Sequence, residues 1–276
     1  MNELCKCLHV TKSAYYHWLR GSESPAERKN KQLAEEIEKL YAEHPDKGYR
    51  RICDDLRRRG HYLINDKHVL RLMRGLHLQS TVKGRHNCCT RRASHPEYTA
   101  ENILNRDFHA DAPGEKWLTD VTEFKYGQGE NLHKLYLSAI LDLYGHGIVA
   151  FMLSDHNDNA LVLKTFDRAV KLHPDAHPIF HSDRGFQYTS RLFHAKLVKQ
   201  GMTQSMSRVA HCLDNGPMEG FWGILKREMY YGRKFSTRTE LADAIREYID
   251  YYNHQRLQRG LGVMTPYEYC QQYSAA

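Results

Sequence analysis

The sequence of 276 residues lacks the long apolar segments that membrane proteins carry. No apolar run approaches the ~20 residues of a membrane-spanning helix, and the first residues contain no signal-peptide core. Its seven cysteines are odd in number and do not follow the spacing of small disulfide-rich domains. We therefore expect reduced thiols and a cytoplasmic protein that has no membrane partner.

Spaced pairs of cysteine and histidine, of the kind that bind zinc, are also missing. Cys88 and Cys89 are adjacent, and no pair of spaced histidines accompanies them. Cys5, Cys7 and His9 form an equally poor set of ligands. A zinc site is therefore not expected.

Positive charge is concentrated in one part of the chain. Residues 1–110 contain 21 Lys and Arg against 14 Asp and Glu, whereas residues 111–276 contain 19 of each. Within residues 47–92 the numbers are 13 against 3. This concentration predicts contact with the phosphate backbone of a nucleic acid, although a solvated helical face could have the same composition.

Helical periodicity divides the first part of the chain into three regions. Residues 1–45 are expected to form an N-terminal helical segment, in which Ser24 to Glu27 has the arrangement of a capping box. Residues 46–79 predict two further helices joined by a turn. Residues 80–112 lack sustained periodicity and predict a basic linker.

Region 46–79 has the pattern of a helix-turn-helix-like DNA-binding region. Gly60 ends its first helix, and Asn65 or Asp66 can cap the second. A plain helical hairpin is the alternative, but such hairpins are rarely this basic. The side chains that we expect to contact DNA in this region are Arg50, Arg51, Lys67, Arg71 and Arg74.

Strand patterns begin after residue 112. The first three, Lys116–Tyr126, Leu132–Tyr144 and Ile148–Leu153, precede an alternation of helix, strand, helix, strand and helix. This order predicts an α/β protein with a mixed sheet and matches the ribonuclease-H-like fold. We therefore expect residues 113–276 to form a ribonuclease-H-like catalytic core with a C-terminal helical extension, preceded by the all-α region.

Three acidic residues occur where two strands and a helix could bring them together. Asp120 lies within the first strand pattern, and Asp183 ends a short apolar run. Glu219 opens a helical pattern, and 35 residues separate it from Asp183. Singly, each acid has an ordinary explanation, as a salt-bridge partner, a turn residue or a first-turn acid. Asp142, in the second strand pattern, is a fourth candidate.

Taken together, Asp120, Asp183 and Glu219 suit a divalent-metal site for phosphoryl transfer. Mg²⁺ prefers hard oxygen ligands and leaves positions for water and phosphate oxygens. Two such ions can activate an attacking hydroxyl and stabilise the departing one. Lys226, seven positions after Glu219 and on the same helical face, is a candidate contact for a DNA phosphate, and a solvated lysine is the alternative.

With these motifs, the sequence resembles the DDE transposases of bacterial insertion sequences, which belong to the retroviral integrase superfamily. The resemblance is to the branch whose second reading frame, OrfB, encodes an integrase-like protein, and it covers nearly the whole chain. The motifs that carry it are Gly48-Tyr49-Arg50-Arg51-Ile52, Trp117-Leu118-Thr119-Asp120, His181-Ser182-Asp183-Arg184-Gly185, Asp214-Asn215-Gly216-Pro217-Met218-Glu219 and Leu225-Lys226-Arg227-Glu228.

The resemblance implies cleavage at the 3′ ends of the element's double-stranded DNA and joining of these ends to a target, both with Mg²⁺ or Mn²⁺. It puts Asp120, Asp183 and Glu219 on the catalytic and metal-binding positions of the family, with two ions expected. Gly220 and Trp222 flank Glu219 where the family commonly has Ser and Phe.

The resemblance also implies partners. An upstream frame, OrfA, is expected to supply a helix-turn-helix and a leucine zipper as a separate subunit or fusion, because this chain has no sustained heptad pattern. A dimer or larger complex is expected to hold two DNA ends together, in the cytoplasm and on the nucleoid of a bacterium.

Two other functions are left open by the residues themselves. One is a DNA-binding regulator whose catalytic core is inert, and the other is a ribonuclease-H-type nuclease that hydrolyses without joining strands. The presence of all three acids favours a catalyst over a regulator. The basic segment and Lys226 favour a long DNA substrate. A transposase catalytic subunit is therefore the main prediction.

Overall fold

The chain forms two compact units, Met1–Thr81 and Val82–Ala276. Within the part of the chain that is described, no helix is both long and apolar enough to cross a membrane. The computed structural model describes residues 5, 7, 9–19, 21, 23–60, 62–82, 97–208 and 212–275.

Helices joined by short irregular segments make up the described part of the first unit. Ser24 caps the second helix in a capping box with Glu27, as the sequence predicts. Asn65, one of the two predicted caps, begins the fourth helix by accepting a hydrogen bond from the amide of His68. The helices are α1 (Lys12–Leu19), α2 (Pro25–Glu43), α3 (Tyr49–Gly60) and α4 (Asp66–Gly75).

One apolar core holds α2, α3 and α4 together. The helices α2 and α4 each bury one face at helical spacing, whereas α3 buries five consecutive residues, from Ile52 to Leu56. The fully enclosed side chains of this core include Leu33, Ile37, Ile52, Leu56, Val69 and Met73.

A mixed five-stranded sheet forms the centre of the second unit. The strand order is β3-β2-β1-β4-β5, with β1, β2 and β3 antiparallel and with β4 parallel to both β1 and β5. The first strand has the predicted bounds, and the second and third begin and end within two residues of the predicted positions. The strands are β1 (Lys116–Tyr126), β2 (His133–Asp142), β3 (Ile148–Ser154), β4 (Ile179–Ser182) and β5 (Thr203–Met206).

Helices cover both faces of this sheet. Asp158, Ser190 and Thr237 cap three of them, each by accepting a hydrogen bond from the amide three residues later. The helices are α5 (Asn159–Leu172), α6 (Arg191–Lys199), α7 (Gly216–Leu225), α8 (Arg238–His254) and α9 (Pro266–Ala275). A π-helical turn, Lys226–Tyr230, continues directly from α7.

Alternation along β1 separates the two cores of the second unit. Trp117 packs with Phe166 of α5 and Phe193 of α6, whereas its neighbour Leu118 packs in the cluster that contains Phe221 of α7. Successive side chains of a strand point to opposite faces, so one face of the sheet carries α5 and α6 and the other carries α7 and α8. This is the α/β layout with a mixed sheet of the ribonuclease-H-like fold.

Candidate active site

The parallel pairing of β1 with β4 brings two of the predicted acids to neighbouring positions. Leu118 of β1 stands opposite His181 of β4. Asp120 lies two residues after Leu118, within β1. Asp183 lies two residues after His181, as the first residue after β4. Residues two apart on a strand share a face, and neighbouring strands lie about 4.8 Å apart. The register therefore directs both carboxylates to the face that α7 covers.

Both oxygens of the Asp120 carboxylate accept hydrogen bonds. The amide of Val121 donates to Oδ1 over 2.7 Å, and Nε1 of Trp222 donates to Oδ2 over 3.0 Å. Trp222 was not among the site residues predicted from the sequence. Its position three residues after Glu219, and hence on the same side of a helix, is the signal that could have revealed it.

Asp183 is held by a tight turn. The amide of Gly185 donates to Oδ1 of Asp183 over 2.8 Å. A Cβ atom on Gly185 would lie 3.0 Å from this oxygen and 3.1 Å from Oε1 of Gln187. Glycine at this position thus leaves room for the carboxylate.

The third acid, Glu219, lies near the start of α7. Pro217 occupies the first turn of this helix, where its missing amide hydrogen is of no consequence. Asn215, the residue before the helix, donates from Nδ2 to the carbonyl oxygen of Thr119 over 3.2 Å. Because Thr119 directly precedes Asp120, this bond ties the start of α7 to the part of β1 that carries the first acid.

Burial raises the pKa values of all three acids, and the charge of Asp183 raises those of the other two. Desolvation, followed by the charges of Asp183 and Glu219, raises the pKa of Asp120 to about 8. Desolvation raises the pKa of Asp183, and desolvation with the charge of Asp183 raises that of Glu219. Carboxylates that disfavour one another's ionised form must lie close together in a site of low polarity.

No cationic side chain offsets this repulsion within the described part of the chain, where the three acids form no ion pair with Lys or Arg. The donor atoms are hard carboxylate oxygens, which suit Mg²⁺ or Mn²⁺. Among the described residues, no three His, Cys, Asp or Glu side chains converge as a ready set of ligands for one ion. The type of donor atom and the uncompensated negative charge are nevertheless those that a divalent cation requires.

Asp142, the fourth acid considered, has a different environment. Its Oδ2 accepts hydrogen bonds from the amide of Gly114 over 2.7 Å and from Nε1 of Trp117 over 3.1 Å. Its Oδ1 accepts one from the amide of Tyr144 over 2.8 Å. Desolvation raises its pKa. Asp142 stands opposite Trp117, three residues along β1 from Asp120, and its bonds close the turn after β2.

A fully buried carboxylate anchors the segment that leads into α7. Asp214 accepts hydrogen bonds from Arg106, from Asn102 and from both the side chain and the amide of Arg208. The Arg208 side chain is the main cause that holds the pKa of Asp214 well below its ordinary value. This anchor joins the chain before β1 to Asn215, and no local sequence pattern indicates it.

His181, two residues before Asp183, is buried and links β4 to β5. Ser205 Oγ accepts from the amides of Ile103 and Leu104 over 3.0 and 3.1 Å, so its own proton is directed to His181 Nδ1 at 2.9 Å. Nε2 of His181 then carries the proton and donates to Ser207 Oγ over 3.0 Å. Burial lowers the pKa of His181 to about 4, which keeps the ring neutral.

The predicted DNA-contacting residues of the first unit separate into two groups. Lys67, Arg71 and Arg74 are exposed and lie at positions i, i+4 and i+7 of α4, which puts them on one helical face. Arg50 is also exposed, with its guanidinium 5.2 Å from the centroid of the Tyr49 ring.

Other basic residues of the first unit form internal contacts. Arg51 is half-buried and pairs with Asp46 over 2.9 Å. Lys47 is buried and pairs with Asp55 over 2.7 Å. Part of the positive charge that indicated a phosphate footprint therefore holds α3 in place. Charge counts alone could not distinguish these residues from exposed ones.

Lys226 follows α7 as the first residue of the π-helical turn. Its ammonium group lies 5.2 Å from the centroid of the Phe124 ring, in a cation–π arrangement. In the same turn, Glu228 pairs with Arg256 through two hydrogen bonds of 2.9 and 3.0 Å. The turn thus connects the end of α7 to the residues that follow α8.

The sheet order and the helices on its two faces define a ribonuclease-H-like protein, and comparison with known families identifies the group. Two matches to integrase core domain families cover residues 110–212 and 219–273. A match to an HTH-like domain family covers residues 27–86.

Known proteins resemble the chain over most of its length. The putative transposase InsK for insertion sequence element IS150 of Escherichia coli (strain K12) is 40% identical over 98% of this chain and 93% of its own length. The probable transposase for insertion sequence element IS1353 of Shigella flexneri is 36% identical over 97% of this chain and 51% of its own length.

Among solved structures, the catalytic core domain of HTLV-2 integrase in complex with magnesium is similar, with a TM-score of 0.46 and 17% identity, over 58% of this chain and 98% of that chain. The family matches and the InsK likeness identify the chain as a member of the insertion-sequence transposases that have an integrase core domain.

Proposed function

We propose that this transposase cleaves the 3′ ends of its element's DNA and transfers them to a target, with Asp120, Asp183 and Glu219 as the catalytic acids. The observation that carries the proposal is the placement of Asp120 and Asp183 on neighbouring strands, with Glu219 near enough for the charges to interact. The register of β1 and β4 directs Asp120 and Asp183 to one face, and the charge of Asp183 raises the pKa values of Asp120 and Glu219.

The same three carboxylates are the proposed ligands of Mg²⁺ or Mn²⁺, with two ions expected. Such a cation, when bound, would supply Lewis-acid activation of a hydroxyl nucleophile and charge stabilisation at the phosphate. Repulsion between the acids disfavours their ionised form, and a bound cation would favour it. The repulsion therefore supports the assignment of a cation site.

Several neighbouring groups hold these acids in place. The amide of Val121 and the indole of Trp222 orient Asp120, and the amide of Gly185 orients Asp183. Asn215 fixes the start of the helix that carries Glu219. Preorganised ligands of this kind reduce the rearrangement that the reaction requires.

Double-stranded DNA is the proposed substrate, as element ends and as target. The face of α4 formed by Lys67, Arg71 and Arg74 is suited to contact phosphates, and Arg50 extends the positive surface from α3. Lys226 is the proposed contact near the catalytic acids, and Arg51 takes part chiefly by holding α3.

An OrfA-type portion is the proposed partner of this chain. The IS1353 relative matches this chain over only 51% of its own length, so it contains a second portion of similar size. Joining two DNA ends to one target also needs two catalytic sites held together. A dimer or larger complex on DNA is therefore proposed.

The test uses the full chain with labelled element-end DNA and Mg²⁺, with and without the OrfA portion. The wild type is expected to give nicked and joined products, and Glu219→Gln is expected to give neither while still binding DNA. Asp142→Asn is the matched control, because it alters an acid outside the group.

Each alternative function has its own outcome in this assay. Nicking without joined products, even with OrfA present, would indicate a nuclease. DNA binding without any strand chemistry would indicate a regulator, and it would contradict the proposed function.

A further inference from the structure

We infer that Trp222 is a positioning residue that holds the Asp120 carboxylate for cation binding through its indole N–H. The inference rests on the proposed role of Asp120 as a metal ligand. It concerns a side chain that is not itself a ligand and that takes no part in the chemistry.

The indole of Trp222 is buried, with its N–H directed to Asp120. Trp222 is 7% exposed, and its ring centroid lies 5.1 Å from that of Phe221. Its Nε1 donates to Oδ2 of Asp120 over 3.0 Å, at ordinary hydrogen-bond length. A buried indole N–H needs an acceptor, and here the acceptor is the carboxylate.

The position of Trp222 on α7 gives the bond a second effect. Glu219 lies three residues earlier on the same helix, so one rigid element carries both the acid and the donor. The hydrogen bond therefore links α7 directly to β1, next to the bond from Asn215 to Thr119. Separation of Glu219 from Asp120 would require that the indole bond be broken.

Groups that hydrogen-bond to metal ligands orient them, and their removal commonly lowers metal affinity by about 10- to 100-fold. The Val121 amide fixes one Asp120 oxygen through the backbone, which every substitution of Val121 except proline leaves in place. Trp222 fixes the other oxygen, and it is the group that mutagenesis can test.

The chain offers a matched control in Trp117. This residue is 1% exposed, and its Nε1 donates to Oδ2 of Asp142 over 3.1 Å. Both tryptophans are thus buried, and both donate an indole hydrogen bond to an aspartate of the same sheet. Only Trp222 bonds to an acid of the proposed metal site.

The experiment measures Mn²⁺ binding to the full chain without DNA, by titration calorimetry. Trp222→Phe is expected to weaken Mn²⁺ binding by about 10- to 100-fold. Trp117→Phe is expected to leave the affinity within about twofold of the wild type. Thermal unfolding of each variant measures any loss of stability separately from metal binding.

A second variant separates the N–H group from the shape of the ring. Replacement of Trp222 by benzothienylalanine puts sulfur in place of the N–H and retains the bicyclic shape. It is expected to weaken Mn²⁺ binding as Trp222→Phe does, and it serves as the test if the phenylalanine variant does not fold.

The outcomes distinguish the inference from the proposed function. The metal site itself would be contradicted if the wild type did not bind Mn²⁺. It would also be contradicted if Glu219→Gln bound Mn²⁺ as tightly as the wild type. The role of Trp222 would be overturned if the wild type bound Mn²⁺ and the benzothienylalanine variant bound it with the same affinity. If Trp117→Phe weakened Mn²⁺ binding as much as Trp222→Phe, the loss would be a general effect of packing, and the specific role of Trp222 would be contradicted.

Discussion

Arg106 Nε lies 2.7 Å from Oδ1 of Asp214, a residue 108 positions later in the chain. The arginine precedes the first strand of the sheet, and the aspartate precedes the helix that carries Glu219. Arg208 binds the same carboxylate through its side chain and its amide. The entry to the catalytic core and the start of α7 are therefore fixed to each other through one buried acid.

Removal of this acid's charge should destabilise the second unit. Asp214→Asn would leave two arginines without their counter-charge, and loss of one partner of a buried pair costs roughly 3–5 kcal/mol. We expect about 3 kcal/mol, at the low end, because Arg106 and Arg208 are 42% and 43% exposed. Urea denaturation measures the change. Asp111→Asn, at a side chain that is 89% exposed, is the control and should have little effect.

Gly185→Ala should reduce strand cleavage without loss of the fold. The added methyl group would lie 3.0 Å from Oδ1 of Asp183, so the carboxylate must move. A displacement of about 1 Å can lower a rate by about 100-fold, so this smaller shift should lower the rate by about tenfold. The measurement is the single-turnover nicking rate of element-end DNA. Gly220→Ala is the matched control, since its methyl group would meet no atom within 4 Å. Equal rates in the two variants would argue against a role for Asp183.

Stability should fall on mild acidification because of His181. Its pKa is lowered to about 4 by burial, whereas an exposed histidine has a pKa near 6.5. Above pH 6.5 both the folded and the unfolded states hold this ring neutral. Between pH 6.5 and about 4 only the unfolded state gains the proton, so the free energy of unfolding falls by up to about 3 kcal/mol.

The contribution of His181 is isolated by comparison with His181→Gln across this pH range. Acids whose pKa values are raised, such as Asp142, give the opposite slope, but they contribute equally to both proteins. The difference between the two unfolding curves should therefore shrink as the pH falls from 7 to 4. Parallel curves would show that His181 does not titrate in this way.

Arg71→Ala should weaken DNA binding and lower its dependence on salt. Each lost phosphate contact is expected to reduce the slope of log K against log salt by about 0.9. Fluorescence anisotropy of the full chain with duplex DNA, across a series of NaCl concentrations, measures this slope. Arg51→Ala is the comparison. Its pairing with Asp46 predicts a loss of stability with the slope nearly unchanged.

Local patterns in the sequence were sufficient to predict most of the secondary structure. The alternation from Lys116 to Tyr126 ends at a turn glycine, and β1 has these bounds. Side-chain caps such as Ser190 act within three residues, so their signal is contained in a short window. The transposase family was also predictable, because its motifs are short and specific.

Contacts between distant parts of the chain could not be predicted in this way. The bond between Trp222 and Asp120 joins positions 102 residues apart. Even the pairing of Lys47 with Asp55, eight positions apart, depends on how α3 packs. The π-helical turn after α7 likewise has no local pattern that we could identify. Such contacts depend on the folded arrangement, which periodicity and composition do not specify.

The parallel pairing of β1 with β4 also bears on when the protein becomes active during synthesis. Asp120 and Asp183 meet only after these strands pair, which requires closure of a loop of about 60 residues and is slow compared with local contacts. Glu219 leaves the ribosome later than both. With the proposed role of Glu219, a nascent or prematurely terminated chain that lacks α7 would therefore be unable to cleave DNA.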